Sequence, residues 1–263
     1  MSHLTYTIEH DNVAHIVLDN PPQNRIDNQM GQELLEAVNA IEAGAARAVL
    51  VRANGDNFSF GGDIVDWPDT PTRELRQQFE EYMFAFNRLE QLPLPVIAAV
   101  NGLCFGGGFE MVLRADVIFA GESAAFGHPE QTLGIVTVLG GIYRAAARVG
   151  RARAFEWALT SERVPASALA EAGLVNRVVA DEDVVSTALE FARKVAAGPT
   201  RAHAAHKALL RLWEIGGAAW ADAAMFDVAM PLFESKDARK GIPSAVRAYQ
   251  AGTPRPAVDF SGD

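Results

Sequence analysis

With 263 residues, of which 49% are hydrophobic and 21% charged, the chain can bury a full core as one large domain, or as one domain with a C-terminal appendage. A formal net charge of −10 argues against nucleic acid as the main partner, and no apolar run approaches the roughly 18 residues that a membrane span needs. A single cysteine, Cys104, excludes an internal disulfide framework, and the N-terminus lacks the basic start and apolar stretch of a signal peptide, so a cytoplasmic location is expected.

Along the chain, residues 5–8 and 13–18 are alternating or apolar runs around Asp11-Asn12, the pattern of a hairpin. Pro21-Pro22-Gln23-Asn24 then breaks the chain. From Asp27 or Asn28, both good N-caps, Met30, Leu34, Leu35, Val38 and Ile41 recur at helical spacing until Gly44. Residues 48–52 read as a short strand and Asn54-Gly55 as a turn. Phe58-Ser59-Phe60-Gly61-Gly62-Asp63 is a glycine loop set before Ile64. The spacing predicts a helix over 73–92 with Phe79, Met83, Phe86 and Leu89 on one face, and buried strands at 96–100 and 117–120. Further helices are expected at 152–159, 166–171, 183–197 and 201–214, with a change of character at Gly198-Pro199. This alternation implies crossover connections and helices on sheet faces; as a repeated unit it coils into a right-handed stack.

The stretch from Asn101 to Glu110 carries the most information. Gly106, Gly107 and Gly108 stand between the 96–100 strand and a helix opening at Gly108, where three glycines lose the most backbone entropy on folding. One reading is close packing of strand on helix. The other is a backbone free of Cβ atoms whose N–H groups, unpaired at a helix start, face a ligand. Glu110 sits one turn inside, which suits a site where charge develops on an oxygen while a carboxylate moves a proton. A nucleotide phosphate loop is disfavoured, since no Lys-Ser/Thr follows the glycines. Cys104 stands at an apolar strand exit and reads as a buried small side chain rather than a nucleophile.

With both glycine loops placed, the chain resembles the enoyl-CoA hydratase/isomerase (crotonase) superfamily. Phe58-Ser59-Phe60-Gly61-Gly62-Asp63-Ile64 is similar to that family's Phe-x-x-Gly-Ala-Asp-Ile loop, and Pro95 to Gly102, the triple glycine and Glu110 match its central signature. Phe126-Gly127-His128-Pro129-Glu130 with Leu133-Gly134 resembles Phe-x-x-Pro-Glu-x-x-Leu-Gly, and Ala170 to Val175 and Phe233 to Asp237 follow in order. The resemblance implies an α/β fold with a ββα spiral core carrying the acyl-CoA site over 1–197, and a helical trimerisation region over 198–263. It implies homotrimers or dimers of trimers, no metal, and no cofactor besides the coenzyme A that is part of the substrate. By position, the amides of Gly62 and Gly107 would form the oxyanion hole, Glu110 and Glu130 the acid/base pair, and Arg25, Phe60, Asp63 and Ile64 contacts to acyl-CoA. Preorganised amides favour an enolate oxygen over the ground-state carbonyl.

The glutamates direct the chemistry. Either one alone reads as a solvated residue; their motif context singles them out. Glu110 lies in a first helical turn, where the macrodipole favours the ionised form and suits it to deprotonating water. Glu130 follows Pro129 beside Phe126 and Leu133, where desolvation raises its pKa and suits it to protonating the α-carbon. Both could also share one water. Water addition to a trans-2-enoyl-CoA is therefore the expected reaction. The alternatives are a double-bond shift, other thioester-enolate chemistry, or a low-turnover CoA-binding protein. Several positions depart from the family pattern: Thr137-Val138-Leu139 precede Gly140-Gly141, His128 stands before Pro129, Val65 replaces a lysine, and Arg247-Ala248-Tyr249 replaces a Glu-Lys-Arg run. Val138 and Leu139 bring bulk to the acyl pocket. His128 either tunes Glu130 or packs, and Arg25 either supplies charge to CoA or is structural. The 73–92 helix and the neighbourhood of Trp67 are expected to border the acyl site, with Trp213, Trp220 and Phe226 in helix packing.

Overall fold

A computed structural model describes residues 2–263. The chain opens with the hairpin β1 (Leu4–Ile8) and β2 (Val13–Leu18). Then come α1 (Asn28–Ala43), capped by Asp27 accepting from the Met30 amide, β3 (Ala48–Ala53), α2 (Thr72–Gln91), β4 (Val96–Val100), β5 (Leu103–Phe105) and α3 (Gly107–Val112). β6 (Val117–Gly121) and β7 (Ala125–Gly127) lead into α4 (Gly141–Val149) and α5 (Arg151–Thr160). β8 (Val164–Pro165), α6 (Ala166–Glu171), β9 (Arg177–Val179) and α7 (Val184–Ala196) complete the core, and α8 (Thr200–Gly216), α9 (Ala218–Ala229) and α10 (Lys236–Ala251) follow.

The larger sheet runs β1-β2-β3-β4-β6-β9, antiparallel at β1/β2 and parallel thereafter. Its central strands are apolar except for Arg52 near the end of β3, because both faces are covered. Val49, Val51, Val96, Ala98, Val100, Ile118 and Ala120 face the main core with α1 and α2. The alternate residues Leu50, Ile97, Ala99 and Phe119 face Val184, Ala188, Ala192 and Ala196 of α7. α7 is the last helix to cover the sheet. Over α8, α9 and α10, only Thr200, Asp237 and Ala248 are buried.

A smaller sheet, β5-β7-β8, lies beside the first. Isolated parallel bridges Ser59↔Cys104 and Ile26↔Gly62 extend it without forming full strands. Each turn of the chain thus gives one strand to the large sheet and one short pairing segment to the small one, and then a helix. This is the ββα spiral expected from the motifs. The helical C-terminal region is also present, and among the described residues no helix is long and apolar enough to cross a membrane. Sequence reading missed β5, β7, β8 and β9, whose two or three residues are too few for a period, and α4, α9 and α10. α10 runs through Pro243, which reads as a breaker, and α9 is alanine-rich on all sides.

Phe86 of α2 is fully buried in the main core. Phe86→Ala is expected to cost about 3–5 kcal/mol, seen as a lower urea midpoint with an unchanged slope.

Candidate active site

The small sheet positions the site. The Ile26 amide donates to Gly61 O at 2.9 Å and the Asp63 amide to Ile26 O at 2.9 Å. The Ser59 amide donates to Leu103 O at 3.1 Å, the Phe105 amide to Ser59 O at 2.9 Å and the Gly106 amide to Gly127 O at 3.0 Å. This ladder lays the two glycine loops side by side and ends at Gly62 and Gly107. Among the described residues neither of these two N–H groups has an acceptor. Gly61 (φ 88°) and Gly106 (φ 50°), the residues just before them, are left-handed, which favours glycine. A Cβ on Gly61 would also lie 2.9 Å from Phe105 O and 3.1 Å from Gly107 N, so the loops touch backbone to backbone.

Both free amides open into a cavity of about 280 Å³ that Glu110 and Glu130 also line. Ile64, Trp67, Phe79 and Tyr82 form an apolar wall, in which Trp67 meets Phe79 edge-on at 5.2 Å. The helix expected over 73–92 and the region of Trp67 therefore do border the cavity. Phe60 lines it too and packs edge-on against Phe105 at 6.3 Å. Arg25 lines it while donating to Gly62 O at 3.3 Å and to Gln23 Oε1 at 2.8 Å, so its guanidinium braces the Gly62 peptide. Asp63 stands beside the cavity rather than in its wall; its carboxylate accepts from the Val65 amide at 3.4 Å. Val65 is three-quarters exposed, and Trp213, Trp220 and Phe226 are more than half exposed rather than packed inside.

Glu110 is buried, and its Oε1 accepts from the Leu139 amide at 2.9 Å and the Gly141 amide at 2.8 Å. Its pKa is pushed up to about 7. Burial is the largest cause and the nearby Glu130 carboxylate adds to it, against the two amides and Arg114. The macrodipole of a six-residue helix does not keep this carboxyl ionised, because desolvation outweighs it. Glu130 is also raised by burial, as its apolar neighbours predict, and its Oε2 has no partner. His128 Nδ1 lies 3.9 Å from that oxygen. Burial lowers the imidazole to about 4, so a neutral ring at that distance makes no ion pair. The ring stacks on Phe109 at 4.8 Å between centroids, and neither of its nitrogens has a partner.

The amides of Leu139 and Gly141 as holders of Glu110 escaped sequence reading. The retained pair Gly140-Gly141 within an otherwise altered motif was the available signal. Among the described residues no cluster of three or more His, Cys, Asp or Glu could hold a metal ion.

Two apolar-walled carboxyls with raised pKa values, set beside two unpaired amides on a ββα spiral, define a crotonase-fold enzyme. The enoyl-CoA hydratase/isomerase family matches residues 9–246, and the chain belongs to it. It is 35% identical over 184 residues to mevalonyl-coenzyme A hydratase sidH of Aspergillus fumigatus, covering 70% of this chain and 68% of that one. With the mitochondrial enoyl-CoA hydratase of Pongo abelii it shares 33% identity over 190 residues, covering 72% and 65% of the two chains. The crystal structure of an enoyl-CoA hydratase from Bacillus anthracis superposes with a TM-score of 0.89 at 26% identity, over 99% of this chain and 100% of that one.

Glu110 titrates above its ordinary value of 4.5, so the folded state holds a proton that the unfolded chain has released between about pH 4.5 and 7. Stability is then expected to fall as pH rises across that window, by about 3 kcal/mol for this group alone. Glu110→Gln, which keeps an oxygen for both amides, should flatten the fall in pH-dependent urea unfolding.

Proposed function

We propose that the protein adds water to a trans-2-enoyl-CoA to give the 3-hydroxyacyl-CoA. The observation that supports this most is the convergence of Glu110 and Glu130 on the one cavity that also receives the free amides of Gly62 and Gly107. In this reading the thioester oxygen accepts from both amides, and the enolate that forms as water adds is stabilised there. Ionised Glu110 takes a proton from water, whose oxygen bonds to the β-carbon, and protonated Glu130 gives its proton to the α-carbon. The two carboxyls then re-equilibrate their proton. A pKa near 7 keeps both forms of Glu110 populated at neutral pH. Coenzyme A enters as part of the substrate, with no separate cofactor, and Phe60, Ile64 and Arg25 meet it at the cavity wall.

A second reading, a double-bond shift by one carboxylate, gains support from Val138 and Leu139, which crowd the cavity beside Glu110 where water would enter. We also place self-association, as a homotrimer or dimer of trimers, on α8, α9, α10 and the turn between the last two, where Trp213, Trp220, Phe226 and Phe233 are more than half exposed. A cytoplasmic setting accords with the lone buried thiol of Cys104.

A panel of trans-2-enoyl-CoAs should lose conjugated-thioester absorbance with a gain of one water by mass. Glu110→Gln and Glu130→Gln should each lower kcat by roughly 10²–10⁴-fold. Conversion of 3-enoyl thioesters without gain of water would instead establish the isomerase reading, and full turnover by Glu110→Gln would refute the mechanism.

Phe79 and Val138 line this cavity and also a second one of about 520 Å³ on the outer side of α2, beside Leu75, Met83 and Phe84. Removing the Val138 side chain should therefore let longer acyl chains through. Val138→Gly is expected to shift kcat/KM toward them by about tenfold relative to a four-carbon thioester, measured by competing substrates.

A further inference from the structure

Arg114 lies four residues beyond Glu110, just past the end of α3, and its side chain is wholly buried. One amino group of its guanidinium donates to Leu139 O. The other donates to Asn87 Oδ1 at 2.6 Å and Glu90 Oε2 at 2.9 Å, both on α2. Arg144, in the first turn of α4, grips the same Glu90 carboxylate through Nε at 2.8 Å and Nη2 at 2.7 Å, and reaches Gly140 O at 3.4 Å. The backbone from Leu139 to Gly141 is thus held on two sides. Its carbonyls at Leu139 and Gly140 are taken by two guanidiniums that share Glu90. Its amides at Leu139 and Gly141 are given to Glu110.

We propose that Arg114 is a positioning residue for Glu110: by fixing the Leu139 peptide against α2 it keeps the Leu139 and Gly141 amides aimed at the Glu110 carboxylate. The inference rests on the acid/base role proposed above for Glu110. A side chain that only filled the core would need no polar partners, yet the two amino groups of this one go to a carbonyl of the strap and to Asn87, Glu90 and the Met83 sulfur of α2. Neither Arg114 nor Glu90 lines the cavity, so substrate binding does not depend on them directly. The ionisable groups that face Glu110 are Glu130 across the cavity, Arg114 behind, and His128, whose ring packs with Glu110 against Gly141. Loss of Arg114 removes a nearby positive charge and loosens the Leu139 and Gly141 amides. Both effects disfavour the carboxylate, so Glu110 should titrate at higher pH.

The test compares wild type, Arg114→Met and Arg114→Lys in the full-length protein. The Glu110 titration is read by infrared spectroscopy as the carboxyl band missing from Glu110→Gln, and kcat and KM are read against pH. For Arg114→Met the band should titrate at higher pH, the acidic limb of kcat should move with it, and kcat should fall about 10- to 100-fold with KM little changed. Arg114→Lys, which keeps the charge but not the planar fork, should restore the titration in large part and kcat only in part. If Arg114→Met does not fold, Arg114→Lys carries the test through its lowered kcat at unchanged KM. A Glu110 titration and a kcat that stay at wild-type values, with only a lower melting temperature, would overturn the proposal. Full hydration by Glu110→Gln would refute the functional reading instead, while the infrared titration would still decide whether Arg114 positions that carboxyl.

Discussion

Everything at the site depends on where the backbone pairing of the small sheet stops. Ser59 pairs with Leu103 and Phe105, and Ile26 with Gly61 and Asp63, so the two loops lie in register as far as Gly62 and Gly107. Beyond that point there is no neighbouring carbonyl for the next amide. An unpaired buried N–H is costly, and a fold keeps two such groups side by side only where something else is to accept from them. The left-handed backbone at Gly61 and Gly106 turns both amides out of the ladder. Packing of Ser59 against Gly108, where an added Cβ would come within 2.5 Å of the Ser59 Cβ, keeps the loops from separating. The pair of free amides is therefore a property of sheet register, which no side chain supplies.

The two carboxyls are governed by desolvation more than by the charges around them. Burial is the largest influence on both Glu110 and Glu130, and on Glu110 each carboxylate's dislike of the other adds to it. The same burial leaves His128 uncharged, so it cannot offset the negative charge of its neighbour. On Glu110 burial also outweighs the Arg114 charge behind it, so neither carboxyl is locked in its ionised form. Glu110 differs from Glu130 in having two amide donors, which favour its carboxylate and partly offset its deeper burial.

Much of this was legible in the amino-acid order. The buried strands, α1 with its Asp27 cap, α2 with Phe79, Phe86 and Leu89 on one face, and both glycine loops all follow from periodicity and turn chemistry. The spiral itself could be named because the motifs fall in order along the chain. What could not be read were contacts between residues far apart in sequence. Glu110 is held by amides 29 and 31 positions away, and a backbone donor leaves no trace in side-chain identity. The macrodipole argument for Glu110 failed for a related reason: helix position is local, whereas burial is set by distant segments, among them Gly141 and His128, that pack against it. Arg25 shows the same limit, since its contact with Gly62 O runs between two loops that the spiral brings together.

Arg114 and Glu90 also show why a stability argument alone misreads this cluster. Two guanidiniums and one carboxylate taken out of water cost several kcal/mol per ion, and a well-packed apolar trio of similar volume commonly matches or exceeds the stability of such a group. Burial does raise the Glu90 carboxyl, yet the hydrogen bond and charge of Arg144 and the charge of Arg114 outweigh it and hold Glu90 below its ordinary value. The cluster is thus well satisfied, although Arg114 Nε remains buried without a partner. Apolar side chains could fill the space, but they could not hold the Leu139 carbonyl, and a strap with Val138 and Leu139 ahead of a left-handed Gly140 has no regular secondary structure to hold it straight. The strap needs an external brace, and the brace reaches α2, whose Phe79 and Tyr82 wall the cavity. The cluster links the helix that walls the cavity to the peptide that holds Glu110, and that link accounts for its place in the core better than any contribution to stability.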